Sequence, residues 1–413
     1  MNENRYAVGI DVGTDSVKVV VGRINGEETV NAGDSRFTIL GVGKAKTTGM
    51  RKGVIVSQDQ VAQALDKALN DAERMSGYQI GSATVSINGS HIIGLSSRGV
   101  IAVANGGSIS QNEIDRVREA AEVVQLPANR EILDTTPRNY KLDSQDNIRD
   151  PFGMTGIRLE VDAYMITALT PHLRNLEKVL ELTEVRANRI LPTGMAAAQV
   201  SLTNQQRENG VVSVDIGSST TSISVYEEGD IIHLAVIPMG SSNITNDLAI
   251  GLKTDLDVAD RVKVEHAVAA PELRRGAEEK VSVKVGGREY IFSTELVDDI
   301  VEARLAELFE LVNKELKKIK KFANLPGGAV ISGGGARLRG IADYAREIMQ
   351  MNAVLGKNHS YSGMLDQVKG PEFTTAIGLM TIDADFAPIN TANRSGFKLP
   401  SFGNFFNKVS QKH

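Results

Sequence analysis

The sequence contains no cysteine, which removes several kinds of chemistry at once. Without thiols the chain cannot form a disulfide, a zinc–thiolate site, an iron–sulfur cluster or a thiol nucleophile. Its six histidines never recur at a spacing of three or four residues. A histidine metal site would therefore have to assemble from distant segments, because helical metal motifs use those short spacings.

An excess of charge and long apolar runs are also missing. The 413 residues include 46 basic and 51 acidic side chains, a net charge of −5, so no global charge attracts nucleic acid. No stretch approaches the ~18–20 consecutive apolar residues of a membrane-spanning helix. The opening segment, MNENRYAVGI, carries charges and amides where a secretory signal has its apolar core. We expect a globular protein of the cytoplasm that does not bind nucleic acid.

Glycine is plentiful, with 39 residues against 11 prolines, and its clusters carry the main functional signal. Residues 11–20 (DVGTDSVKVV) align with residues 215–224 (DIGSSTTSIS), and each segment begins where a predicted strand ends. A tight hairpin of Gly, Ser and Thr points successive N–H groups and hydroxyls toward one place, which suits phosphate oxygens. The leading aspartates, Asp11 and Asp215, would repel phosphate but suit Mg²⁺ held through water. The repeat predicts two phosphate-binding hairpins.

The repeat has two other possible interpretations. Asp-x-Gly is a common hairpin turn, and one copy alone would carry little information, but two copies in matching context favour a functional pair. Aspartic proteases also contain two such turns, yet they need Ser or Thr between the Asp and the Gly, where Val12 and Ile216 stand. The long helical patterns also disagree with an all-β protease, so we reject that class.

A third glycine cluster lies nearer the end of the sequence. Residues 332–338 (SGGGARL) follow a predicted strand at 329–331 and precede a predicted helix that runs to Met349. Glycines let a flat ligand approach the backbone, and a helix N-terminus favours anionic groups. The cluster does not match the Gly-x-x-x-x-Gly-Lys-Ser/Thr loop. Alone it is equally well a structural turn, whereas together with the two hairpins it completes a nucleotide site.

The pattern of strands and helices predicts an α/β protein with two core domains and an inserted unit. A capping box at 57–60 begins a helix, and the longest helical stripe runs from 296 to 322. Short strands and a second capping box at 110–113 distinguish the inserted unit. The predicted division is a first domain at 1–82 and 167–200, an inserted α+β subdomain at 83–166, a second domain at 201–385, a linker at 386–400 and a tail at 401–413.

The three glycine motifs resemble those of the actin-like ATPase superfamily, which includes actin, sugar kinases and heat-shock chaperone ATPases. GIDVGTDSVKVVVG is similar to its first phosphate motif, VVSVDIGSSTTSISVY to its second and AVISGGGARLRGI to its adenosine motif. A closer resemblance is to the FtsA family of bacterial cell-division proteins. It is carried by TTGMRKGVIVSQDQVAQALDKALNDAERMSGYQI, PFGMTGIRLEVDAYMIT and EARLAELFELVNKEL, so it extends across nearly the whole chain.

The resemblance implies an actin-like two-domain ATPase fold with a duplicated core, which binds ATP and Mg²⁺ in the cleft between the domains. It implies an insert of the kind found in FtsA and its pilus relative PilM. It also implies filaments formed by self-association and recruitment of the tubulin-like protein FtsZ to the membrane. The implied location is the cytoplasmic face of the cell membrane at the division septum, as a peripheral protein that contacts other divisome proteins.

The resemblance also assigns residues to the nucleotide, position by position. Asp11 and Asp215 would hold Mg²⁺ through water, and Glu302 is a weaker candidate for the ribose. The full set of implied nucleotide-binding residues is Asp11, Gly13, Thr14, Asp15 and Lys18 in the first loop, Asp215, Gly217, Ser218, Ser219 and Thr220 in the second, and Gly333, Gly334, Gly335, Arg337 and Glu302 on the adenosine side.

Two departures from the family pattern concern the nucleotide. Ser218 and Ser219 stand where the family's second loop usually has two glycines, which adds a donor and removes backbone freedom. Filament-forming relatives such as MreB carry an acidic, water-positioning residue just before the segment that resembles residues 195–198. Here residues 192–194 are Pro-Thr-Gly, which cannot act as a base. We therefore hypothesise tight ATP binding with slow or absent hydrolysis.

The end of the sequence predicts a membrane anchor. Four apolar side chains recur at i, i+3, i+4 and i+7 after a proline-containing linker, with two lysines beside them. The set is Phe402, Phe405, Phe406 and Val409, with Lys408 and Lys412. The alternative is a frayed terminus or a helix docked on its own domain.

A basic run ends the long predicted helix. Such a run is usually a solvated face that also suits a helix C-terminus. The alternative is a docking site for the acidic C-terminal peptide of FtsZ, with Lys314, Lys317 and Lys318 as the candidate residues.

The leading interpretation is a membrane-tethering scaffold rather than a metabolic enzyme. A sugar kinase shares the first phosphate loop, but the sequence has no second acidic motif that would activate a substrate hydroxyl. A PilM-like pilus component shares the insert but typically lacks the anchor, so the tail distinguishes the two.

Overall fold

The structure is a computed structural model that describes residues 5–26, 35–104, 107–270, 272, 279–357 and 361–386. The predicted tail at 401–413 and the predicted linker beyond Phe386 lie outside the described residues. Within the described ranges, no helix combines the length and apolar character needed to span a membrane.

The first half of the chain alternates strands with helices. In chain order the elements are β1 (Arg5–Val12), β2 (Ser16–Ile24), β3 (Phe37–Lys46), β4 (Met50–Arg51), β5 (Val54–Ile55), α1 (Gln58–Ser76), β6 (Ser82–Ile87), β7 (Ile93–Ala102), α2 (Gln111–Glu122), β8 (Arg130–Leu142), β9 (Gln145–Ile148), β10 (Arg158–Leu169), α3 (Thr170–Leu182), β11 (Arg186–Pro192), α4 (Thr193–Ser201) and α5 (Asn204–Asn209).

The second half continues the alternation. Its elements are β12 (Val211–Ile216), β13 (Thr221–Glu227), β14 (Asp230–Ile237), α6 (Ser241–Gly251), α7 (Leu256–His266), β15 (Lys280–Val285), β16 (Arg288–Ser293), α8 (Thr294–Lys318), β17 (Ala329–Ser332), α9 (Ile341–Met349), β18 (Ala353–Leu355), β19 (Tyr361–Gly363), α10 (Leu365–Val368) and α11 (Thr374–Asp383), with short 3₁₀ turns at Gly334–Arg337 and Pro371–Phe373.

The two main sheets share one topology. In the first, β1, β2 and β3 form an antiparallel meander, and β6 and β11 continue in parallel beside β1, giving the order β11-β6-β1-β2-β3-β19. In the second, β12, β13 and β14 form the meander, and β17 and β18 continue in parallel beside β12, giving the order β14-β13-β12-β17-β18. This shared order confirms the duplicated α/β core.

The ends and the buried face of helix α1 can be compared directly with the sequence pattern that predicted them. Ser57 precedes the helix in an extended conformation, which confirms the predicted start of the helix. The Ser57 side chain makes no capping hydrogen bond, so the capping box itself is not formed. Val61, Leu65 and Leu69 are buried on one face, as the helical spacing predicts. The helix ends at Gly77, whose φ of 68° lies in the left-handed region that glycine adopts without strain.

The inserted unit begins later in the chain than predicted. Residues 84–87, predicted as its first strand, belong to β6, which pairs with β1 in the first sheet. The insert has its own sheet, in the order β7-β10-β8-β9, and its own core, which includes Val117, Tyr140 and Leu159. The predicted start at 83 is wrong because a short buried strand has the same side-chain pattern whichever sheet it joins.

The end of the described chain returns to the first domain, which corrects the predicted second domain at 201–385. β19 pairs with β3, and α11 packs on β1. The Asp383 carboxylate accepts hydrogen bonds from Val8 N at 2.9 Å, Thr84 Oγ1 at 2.8 Å and Asn188 Nδ2 at 3.0 Å. A Cβ at Gly378 would lie 1.8 Å from the carbonyl oxygen of Ala196 on α4, so only glycine allows this approach. The second domain ends before β19.

Candidate functional site

The two Asp-x-Gly hairpins face one another across a cleft of about 920 Å³ between the domains. The strands place them there, because β1 and β12 hold the same position in their sheets and each ends at its hairpin. The register is also the same, with Asp11 opposite Lys18 and Asp215 opposite Ser222. The cleft is lined by most of the predicted nucleotide residues, namely Asp11, Gly13, Thr14, Asp15, Lys18, Asp215, Gly217, Ser218, Thr220, Gly333, Gly334, Gly335 and Arg337.

The first hairpin is held by a buried polar network. Lys18 Nζ lies 3.0 Å from Asp11 Oδ2. Ser86 on β6 donates from Oγ to Asp11 Oδ1 at 3.1 Å and accepts from Val12 N at 2.9 Å. Because a buried carboxylate is costly without partners, these contacts hold the Asp11 side chain in place at the cleft floor.

The second hairpin is held by the start of α6, whose Ser241 and Ser242 also line the cleft. Ser241 N donates to Gly217 O at 2.9 Å, and Ser242 N donates to Ser218 O at 2.7 Å. The turn itself closes with a hydrogen bond from Gly217 N to Thr220 O at 2.8 Å. The hairpin carbonyls therefore point toward α6, which leaves the cleft side of the turn for a ligand.

Gly333 brings the third glycine cluster against the second hairpin. Its φ is +81°, and a Cβ there would lie 2.5 Å from Ile216 O and 2.6 Å from Asp215 Oδ1. Any other residue would be both strained and in collision, so the glycine is required by geometry. Asp215 also accepts a hydrogen bond from Ser332 Oγ at 3.1 Å.

The two aspartates create an excess of negative charge at the cleft floor. Burial, followed by the charge of Asp11, raises the pKa of Asp215 to about 7, although the Ser332 hydrogen bond and the Lys18 charge oppose the shift. One ammonium group thus serves two carboxylates. A divalent cation would balance the remaining charge, and carboxylate oxygens are ligands that Mg²⁺ accepts. In the described part of the chain no group of three or more His, Asp or Glu side chains could enclose a metal. Asp11 and Asp215 could thus supply only part of the coordination of a cation, and other ligands would have to complete it.

Arg337 bridges the two domains at the other end of the cleft. Its Nε and Nη2 atoms lie 2.9 and 2.6 Å from the two carboxylate oxygens of Glu372. Lys44 Nζ on β3 lies 3.7 Å from the same carboxylate. Arg337 was predicted to contact adenosine, and the structure adds a partner in the first domain that the sequence did not indicate.

Two predicted residues do not line the cleft. Glu302 is exposed on α8, where the cleft is lined instead by Arg304, Leu305 and Leu308. At about 100° per residue, Glu302 faces a different side of the helix, so this arrangement gives its implied ribose contact no support, and that contact stays a prediction. Ser219 also lies outside the lining and contacts the first hairpin.

Several cleft residues were missed by sequence reasoning. Lys263 on α7 contacts Asp260 Oδ1 at 2.7 Å and Thr245 Oγ1 at 2.6 Å. Asn88, Thr193 and Lys46 also line the cleft. They belong to elements far apart in the sequence and share no motif, so only the folded arrangement brings them together.

Comparison with known proteins identifies the family. The family model described as cell division protein FtsA matches residues 212–378, and the model described as SHS2 domain inserted in FTSA matches residues 89–167. The Cell division protein FtsA of Pseudomonas aeruginosa is 34% identical over 382 residues, covering 92% of this chain and 89% of the relative. The Cell division protein FtsA of Bacillus subtilis is 34% identical over 403 residues, covering 97% of this chain and 88% of the relative. This chain belongs to the FtsA family.

Solved structures confirm the actin-like fold of this FtsA-family chain. The PilM-PilN type IV pilus biogenesis complex matches with a TM-score of 0.65 at 16% identity, covering 92% of this chain and 98% of that chain. MreB 5 of Spiroplasma citri bound to AMPPNP matches with a TM-score of 0.53 at 14% identity, covering 93% and 98%. The insert seen here between β6 and α3 coincides with the region matched by the SHS2 model.

Removing the charge of Asp215 is expected to stabilise the ligand-free protein. Asp215→Asn should raise the thermal midpoint at pH 8, because the ionised carboxylate is buried beside Asp11. The gain should shrink as the pH falls below about 7, where Asp215 in the folded protein takes up a proton and loses its charge. Differential scanning calorimetry measures the thermal midpoint at pH 8 and its change with pH. Asp15→Asn, at an exposed position of the same hairpin, is the matched control. A lower midpoint for Asp215→Asn at pH 8 would contradict the interpretation.

Proposed function

We propose that this chain is an ATP-binding scaffold that forms filaments and tethers FtsZ to the cytoplasmic membrane during bacterial division. The observation that carries the nucleotide part is the pair of hairpins facing one cleft, with the Gly333–Gly335 loop on the same cleft. Membership of a cell-division family supports the wider role. In this proposal the protein acts at the cytoplasmic face of the division site as a peripheral protein, with FtsZ and other divisome proteins as partners.

The cleft offers each part of ATP a suitable surface. Gly13, Thr14 and Ser218 would present N–H groups and hydroxyls to the phosphates, and Lys18 would add a positive charge. The backbone of residues 333–335, which carries no side chains, would let adenosine approach closely. The structural relative MreB 5 of Spiroplasma citri is bound to AMPPNP in one solved structure and to ADP in another. This protein shares the fold of the present chain, which supports the proposal that the present chain also binds a nucleotide.

Mg²⁺ would be held by Asp11 and Asp215 through water. Its charge would offset the repulsion between these carboxylates and the phosphates. The ion would also remove the cost of keeping Asp215 ionised in a buried position, since that cost arises from burial and from Asp11.

Membrane attachment would come from the tail at 401–413. Burying a Phe or Val side chain stabilises binding by about 1.5–3 kcal/mol when burial is complete, and by less at an interface. A helix of this length is marginal in water and folds as it binds. One tail should therefore bind weakly and reversibly. Many tails held by one filament would bind together far more tightly, which links self-association to membrane binding.

The FtsZ peptide would dock on the exposed basic end of α8. Lys314, Lys317 and Lys318 are exposed there. Lys318 Nζ contacts Glu315 at 2.6 Å, and Lys317 lies over the Phe322 ring at 4.8 Å. Lys314 and Lys317 lie on adjacent turns of one helix face, which suits an acidic peptide.

The tail should decide between this function and that of a pilus component. In co-sedimentation with vesicles of phosphatidylethanolamine and phosphatidylglycerol, the full chain should bind, and binding should increase with ATP and FtsZ. Phe405→Glu with Phe406→Glu should abolish binding, because the charges lie on the apolar face. Asn404→Glu with Asn407→Glu adds the same charge to the polar face, and this variant should retain most of the vesicle binding. Equal binding by both pairs, or by a chain truncated after Pro400, would oppose the tether.

Charge reversal on α8 should weaken FtsZ binding. Lys314→Glu with Lys317→Glu should reduce the affinity for the FtsZ C-terminal peptide about tenfold or more, since two attractive contacts become repulsive. Fluorescence anisotropy of a labelled peptide measures this. Lys67→Glu with Lys178→Glu, two exposed first-domain positions, is the control for net charge. Undiminished affinity in the α8 variant would remove this docking site.

ATP hydrolysis should be slow. The first turn of α4 contains no acidic residue, and Thr193 there lies 2.9 Å from Ser222 Oγ. With no carboxylate to orient water at this position, turnover should stay well below about 1 s⁻¹, the low end of typical enzymes. A phosphate-release assay measures it, and release that persists in Asp215→Asn identifies contaminating enzyme. Site-dependent turnover near about 1 s⁻¹ would contradict the proposal.

A further inference from the structure

Ser219 differs from the other residues of the predicted phosphate loops. Among those residues it alone does not line the cleft, whereas its neighbour Ser218 does. The Ser219 hydroxyl instead donates to Thr14 Oγ1 of the first hairpin at 2.9 Å. A hydrogen bond between side chains therefore joins the two hairpins directly, from one domain to the other.

Neighbouring contacts reinforce this crossing point. Asn88, at the end of β6, donates from Nδ2 to Thr220 Oγ1 at 3.0 Å. Gly53 N, in the turn between β4 and β5, donates to Thr14 Oγ1 at 3.2 Å. Gly53 has a φ of +80°, and a Cβ there would lie 3.1 Å from Thr220 Cγ2. The first domain thus approaches the second hairpin closely, through cleft-lining residues (Thr14, Asn88 and Thr220) and through Gly53 and Ser219, which do not line the cleft.

The location of the Ser219–Thr14 hydrogen bond determines whether it affects ligand binding or the separation of the domains. Since Ser219 lies outside the cleft lining, a ligand in the cleft does not need the space that its hydroxyl occupies. Separation of the domains, by contrast, must break this hydrogen bond. Glycine at this position, as in the usual family pattern, has no hydroxyl with which to form it.

We propose that Ser219 is a positioning residue that latches the two phosphate hairpins together, keeps the cleft narrow without ligand and slows nucleotide exchange. The last part rests on the proposed nucleotide-binding function. Loss of one neutral hydrogen bond should change the opening equilibrium about two- to tenfold.

The absence of cysteine in the sequence makes domain separation directly measurable. Cysteines introduced by Lys67→Cys on α1 and Arg261→Cys on α7 can carry spin labels on the two domains. Both positions are exposed. Double electron–electron resonance on the full chain without nucleotide then gives the distribution of distances between the two spin labels, one on each domain. Release of a fluorescent methylanthraniloyl-ATP, chased with unlabelled ATP, gives the exchange rate.

Three variants test the hydroxyl itself. Ser219→Ala should widen the distance distribution and accelerate release about two- to tenfold. Ser219→Thr keeps the hydroxyl and should behave as the parent chain. Ser76→Ala, which removes a serine hydroxyl bonded to Ala72 O at 2.8 Å on the distant α1, controls for a general loss of stability.

The outcomes separate the latch from the proposed function. An unchanged distance distribution in Ser219→Ala overturns the latch, whatever the nucleotide does. A wider distribution with an unchanged release rate overturns its control of exchange. If the parent chain binds no fluorescent nucleotide, the proposed function fails, and the distances measured without nucleotide still decide the latch.

Discussion

Two buried carboxylates at the ends of equivalent strands face one cleft, and the surrounding structure compensates for their charge. Asp11 has Lys18 and Ser86 as partners, whereas Asp215 has Ser332 and a raised pKa. A protein core does not retain such a pair for stability, because burial disfavours the charged form. In the proposed function the compensating charge comes from the cation alone, a Mg²⁺ held between these carboxylates and the phosphates of the nucleotide.

The duplicated sheet explains how this pair is positioned. Each aspartate lies near the end of the first strand of a meander, and the parallel strand beside it supplies a supporting serine, Ser86 or Ser332. Helix α11 then returns the chain to the first domain, where Asp383 ties it to β1, β6 and β11. The segment that leads toward the predicted membrane tail is therefore anchored to the same sheet that carries the first hairpin.

Local patterns were sufficient to predict much of this site. The repeated Asp-x-Gly turns and the Gly333 cluster are contiguous in sequence, and their chemistry follows from residue types alone. Glu302 was assigned to the ribose from the family resemblance, and the pattern of a long helix does not determine which of its residues reach the cleft, because neighbouring residues point about 100° apart. The start of the insert and the return of α11 were missed because strand pairing and domain crossing depend on distant contacts. Lys263, Asn88 and the Arg337–Glu372 bridge were missed for the same reason.

Amide hydrogen exchange on addition of ATP and Mg²⁺ tests the central claim most directly, because it reads each hairpin separately. The account predicts that residues 11–15, 216–220 and 333–335 gain protection together, and that Mg²⁺ strengthens the effect at both hairpins. Protection confined to one hairpin, or absent from both, would show that the two turns do not form one phosphate site.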